Sequence, residues 1–157
     1  MPYNEITRMK DQLKRSFEGK AWHGPALNEI LSKISAKSAA ARPLENAHSI
    51  WEITSHIHAW QNAVKERLQG IQVSWKDVND WPAISDTSEA AWQQLQTDLK
   101  TSYGSLLNAL ETIDESKLDQ PVSEGFSSYY GTIHGLIQHN LYHAGQIVLL
   151  QKALADA

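Results

Sequence analysis

The chain has 157 residues, 41% of them apolar and 20% charged, as expected of one soluble domain over 1–157, and no apolar run approaches the ~20 residues that cross a bilayer. A net charge of −4, with basic residues scattered among acidic ones, leaves no stripe to displace counterions from nucleic acid or to hold an anionic membrane surface. With no cysteine there is no disulfide, thiolate metal site or cysteine nucleophile, so a metal must rest on imidazole or carboxylate and a reacting sulfur must arrive on a small molecule.

The opening stretch MPYNEITRMKDQLKRSFEGK lacks the apolar core of a signal peptide, which makes a cytoplasmic location the expectation. Its apolar residues Ile6, Met9, Leu13 and Phe17 fall at helical spacing, and Gly19 suits the end of that helix. A short helix is expected from Pro25, with Leu27, Ile30 and Leu31 behind it. The second long helix opens on a capping box, Ser49 followed by Glu52. It carries Ile50, Ile53, Ile57, Trp60, Val64 and Leu68 on one stripe and closes at Gly70. A third runs from about Asp86 or Ser88 through Trp92, Leu95, Leu99, Leu106, Leu110 and Ile113, and a fourth covers about 132–154. No strand pattern or internal repeat appears, and SAKSAAA is the single low-complexity run. Four amphipathic helices bury their stripes most simply as an all-α antiparallel bundle.

Two connections, about 71–86 and about 114–130, are long for a minimal bundle. The first holds Trp75 and Trp81, which are expected to pack the loop onto the bundle end, the alternative being the wall of an apolar pocket.

Histidine stands at positions 23, 48, 56, 58, 134, 139 and 143. At about 100° per residue, His56 flanks the apolar face of the second long helix, while His58 points away. His139 and His143, one turn apart in QHNLYHAGQI, share a face with Leu136, Ile147 and Leu150, and His134 falls on the far side. Geometry thus selects His56, His139 and His143, a set suited to zinc, nickel, copper or ferrous iron between facing helices. Pattern alone equally allows a hydrogen-bonded boundary histidine and a pair flanking the core. The glutamate of the zinc protease motif is missing from His-Asn-Leu-Tyr-His, which disfavours a peptidase. Glu52, one turn before His56, either orients an imidazole or simply caps the helix.

The blocks NAHSIWEITSHIHAWQNAVKERLQG and GTIHGLIQHNLYHAGQIVLLQKAL resemble the DinB/YfiT-like superfamily of metal-dependent bacterial proteins, the damage-inducible family unrelated to the DNA polymerase that shares the name. The resemblance spans about 40 to 154, and its most specific feature is the distal histidine pair followed by Ala-Gly-Gln-Ile. It implies an up-and-down bundle of four helices with an unusual connection, often paired as a homodimer. It also implies one divalent ion per chain, nickel or zinc, on His56, His139 and His143. Some relatives join a low-molecular-weight thiol to an electrophile or isomerise a substrate with such a thiol. A small-molecule substrate and an external thiol follow as expectations. The alternatives are a metal-assisted hydrolase and a bundle that holds metal under stress without turnover.

Overall fold

Ser49 and Glu52 show how local sequence chemistry sets this fold in the computed structural model, which describes residues 4–155. The Ser49 hydroxyl accepts from the Glu52 amide at 3.2 Å, and the Glu52 carboxylate accepts from the Ser49 amide at 2.8 Å. Two of the helix's orphan donors are thereby satisfied. At the other end Gly70 takes a φ of +81°, and its amide and that of Ile71 return to the carbonyls of Arg67 and Glu66 at 3.0 Å. That closing motif favours glycine because a Cβ is strained in this backbone region.

Among the described residues the helices in chain order are α1 (Glu5–Phe17), α2 (Leu27–Leu31), α3 (Ala36–Ala40), α4 (Ile50–Leu68), α5 (Glu89–Glu111) and α6 (Tyr129–Ala155), with a 3-10 turn at Glu115–Lys117. Among the described residues there is no strand, only an isolated bridge between Pro121 and Ser128. Asn4 caps α1 and Ser88 caps α5, each side-chain oxygen accepting from a backbone amide three residues on.

Three boundaries differ from the sequence expectation. Pro25 stands outside α2, which starts after Ala26, whose amide donates to the Glu29 carboxylate at 2.8 Å. The run SAKSAAA is structured, since Ser35 caps α3 and its small Ala36 and Ala39 are buried. Helix α6 begins at Tyr129, and α5 ends at Glu111, before Ile113.

The α4 helix packs on both α5 and α6, and α1 packs on the same two partners. Short α2 lies against α1 and α6, and α3 against α4 and α5. The core runs through this ring and includes Met9, Leu13, Phe17, Ile57, Trp92, Leu99, Leu106 and Ile133. Each large apolar side chain removed from water contributes roughly 1.5–3 kcal/mol before entropic costs. Trp92 also donates its indole N–H to the Ile34 carbonyl at 2.7 Å, tying α5 to the segment before α3. For function, the contact that matters is α4 on α6, because it faces His56 toward the helix-six histidines.

Candidate metal centre

His56 is buried on α4, and His139 and His143 lie one turn apart on α6, the first half-buried and the second buried. One ring nitrogen from each lies within 4.8 Å of the other two. The closest pair is His56 Nε2 and His139 Nε2, 2.9 Å apart. Helical spacing alone had selected these three, and the fold brings all three together.

The surroundings decide which nitrogen each ring turns inward. His56 Nδ1–H donates to the Asp80 carbonyl oxygen at 2.8 Å and lies 3.1 Å from the Asp80 carboxylate. Its Nε2 is left with a lone pair. His143 Nδ1–H donates to Gln146 Oε1 at 2.7 Å, leaving its Nε2 unprotonated as well. His139 is different: its Nδ1 is buried with no hydrogen-bond partner. If the His139 proton sits on Nε2, it bonds His56 and strands a buried acceptor at Nδ1. If it sits on Nδ1, two lone pairs face each other across 2.9 Å. A cation between the Nε2 atoms removes that repulsion, and nitrogens sharing a zinc at about 2.0–2.1 Å are themselves roughly 3–4 Å apart. The donor set therefore fits a borderline divalent ion such as zinc or nickel.

Protonation agrees with this. Burial, and then the neighbouring charges of His143 and His56, push the His139 pKa down to about 3. Burial also lowers His143, partly opposed by the hydrogen bond it donates to Gln146. At neutral pH both rings are neutral, the form in which imidazole ligates.

The loop between α4 and α5 supplies what the helices lack. Asp80 accepts from the Trp60 indole at 2.5 Å while it receives His56, so one carboxylate fixes two rings. Trp81 stacks on His56 with centroids 4.1 Å apart and on His48 at 3.6 Å. The pocket alternative is therefore right for Trp81. Trp75 fits neither expectation, since it is 70% exposed, with Lys76 over its ring. Glu52 proves to be a cap, bonded to Ser49 and paired with Arg42 at 2.5 Å, and it plays no part in orienting His56. Asp80 gave no sequence signal, being one acidic residue in an irregular loop. Gln146 was legible in principle, as it stands three residues after His143 on one helix face. His58 bonds Asn62 at 2.9 Å and His134 packs on Tyr130, both away from the cluster.

Two clefts reach the cluster from different sides. A cavity of ≈ 510 Å³ lies between His143, His48 and Trp81 and an apolar wall of Ile53, Leu149 and Leu150. A smaller one of ≈ 220 Å³ reaches His139 past Trp60 and Arg67. Such an arrangement can hold an ion at its centre and a small molecule on either side.

A family model described as DinB superfamily matches residues 21–147, well over half of the chain. The chain belongs to the DinB superfamily. The matched span contains all three clustered histidines together with Asp80, Trp81 and Gln146, while the whole of α1 precedes it. In fold the chain is similar to a solved structure titled "Crystal structure of the conserved protein of locus from Enterococcus faecalis", with a TM-score of 0.71 and 16% identity over 99% of both chains. No curated protein matches the chain in sequence.

Proposed function

We propose that this DinB-superfamily chain holds one zinc or nickel ion on His56, His139 and His143 and serves a low-molecular-weight thiol that attacks an electrophile, an S-transferase-like reaction. The observation that carries the reading is the convergence of three imidazoles within 4.8 Å, with the outward nitrogens of His56 and His143 hydrogen-bonded. When bound, the ion supplies an open coordination position at which a thiol loses its proton. The chain's own groups do the rest. Asp80 holds the His56 N–H and strengthens that ring as a donor. Gln146 holds the ring of His143 by its N–H. Trp81, Leu149 and Leu150 form the apolar wall against which the electrophile rests. The sulfur comes from outside because the chain has no cysteine.

The ring of contacts among α1, α4, α5 and α6 supports an antiparallel four-helix bundle in a single domain. The exposed apolar residues Leu141 and Tyr142 on α6 supply a face for a homodimer. Low-molecular-weight thiols are kept reduced in the cytoplasm, which is where we place this protein, and no described helix is long and apolar enough to cross a membrane.

Cobalt substitution tests the function. A thiol that binds adds a sulfur-to-metal charge-transfer band, which water and carboxylates do not give. The band and any conjugation should vanish in His56→Ala. If thiols leave the cobalt spectrum unchanged while water or carboxylates alter it, hydrolysis or metal retention without turnover takes precedence.

A further inference from the structure

The small cleft on the His139 side is built from two helical stripes. On α4, Trp60, Val64 and Arg67 follow His56 over about three turns. On α6, Gly131 and Gly135 precede His139 at intervals of one turn. A Cβ added at Gly135 would meet nothing within 4 Å, so the missing side chain there leaves open space.

Arg67 is fixed within this cleft. Its Nε–H donates to the Val73 carbonyl at 2.8 Å. Its guanidinium carbon lies 4.9 Å from the Phe126 ring and 5.5 Å from the Trp60 ring. The fork is thus held at one edge and against two aromatic surfaces. Its two terminal amino groups make no hydrogen bond, and no carboxylate pairs with it, among the described residues. Burial lowers its pKa from the ordinary value. A partly buried guanidinium with a free, preorganised edge is an anion receptor in waiting.

The geometry points to a carboxylate subsite at Arg67: the cosubstrate, on the thiol reading given above, carries a carboxylate that the Arg67 fork receives while its reacting end reaches the histidine cluster past His139. One cation stands in the cleft, joined by the neutral Thr132 and Ser127. A single negative charge matches that set, whereas a phosphate dianion calls for a second cation. The volume of ≈ 220 Å³ suits a carboxylate on a short chain. The bulkier, apolar partner then takes the ≈ 510 Å³ cavity on the opposite side of the cluster.

The test uses two probes. In the metal-free protein, titration with propionate should shift the Arg67 Nε–H resonance saturably, with no change at the other arginines. In the cobalt-loaded protein, 3-mercaptopropionate should bind roughly 10- to 100-fold more tightly than 2-mercaptoethanol, the range expected for hydrogen bonds to a charged group. Arg67→Gln should erase that advantage, and Arg67→Lys should restore part of it by keeping charge without the fork. Gly135→Leu fills the cleft without touching Arg67 and should erase the advantage too, with metal content intact in all variants. Equal affinity for the two thiols, with no propionate shift at Arg67, overturns the subsite and leaves thiol activation standing. A propionate shift without any thiol band supports the subsite and overturns the thiol reading instead.

Discussion

Acidifying the metal-free protein should destabilise it through His139 before most carboxylates titrate. The ring's pKa falls from 6.5 to about 3, because burial and the nearby His143 and His56 disfavour its charged form. Between those values the unfolded chain takes up a proton that the folded chain refuses. Stability is therefore complete above about pH 6.5 and is lost as pH falls toward the folded value, at up to ~1.4 kcal/mol per pH unit. Solvent reaching the half-buried ring reduces this to about 1 kcal/mol per unit. Urea denaturation of chelator-treated protein at about pH 7 and about pH 5 should show a loss of roughly 1–2 kcal/mol, larger than that of His139→Leu by about 1 kcal/mol. The variant removes the titrating group but keeps every carboxylate, so the difference isolates the ring. Equal losses in the two proteins would refute the argument, because His139 would then be protonated as easily folded as unfolded.

Elemental analysis of purified protein should find about one divalent ion per chain, lost in His56→Ala, His139→Ala or His143→Ala and kept in His58→Ala and His134→Ala. Asp80→Ala should weaken zinc binding by about tenfold in a competition with a chromophoric chelator, the low end for a group behind a ligand, because the backbone carbonyl still holds His56. Ser49→Ala should cost about 1 kcal/mol in denaturation by leaving an amide at the start of α4 uncapped. Gel retention should find no specific duplex binding at moderate salt, as the net charge of −4 carries no basic stripe.

The helices could be read from the sequence because their signals are local. Ser49 with Glu52, Ser88 before α5, and apolar residues every three or four positions each act within one or two turns. The histidine cluster could be read for the same reason, since angle around a helix is a function of spacing. What escaped was set by distant contacts. Ala36 and Ala39 look like low-complexity sequence until α4 and α5 are there to bury them. Asp80 becomes a partner of His56 only when an irregular loop folds back across 24 residues. Trp75 and Trp81 share that loop and a residue type, yet Trp75 is 70% exposed while Trp81, at 36%, stacks on two histidines. No periodicity distinguishes them, because loop backbone has none.

This division assigns different tasks to the two kinds of segment. Helices α4 and α6 fix the three imidazoles through buried residues such as Ile57, Ile133 and Ile147, whose packing tolerates little change. The connections bring the groups around the imidazoles and clefts: Asp80 sets the tautomer of His56, Trp81 walls the larger cavity, and Phe126 and Val73 hold the Arg67 fork. Substitutions at cleft-lining Trp81 or Ser127 can therefore reshape the two clefts while the buried Leu118 and Val122 of the connections keep their places in the core. A neighbour with 16% identity and a TM-score of 0.71 fits that physics, since the same helical frame persists where most side chains differ. On the proposed thiol reading, substrate choice falls to the loops and to the free edge of Arg67, while the packing of α4 against α6 holds the three histidines together.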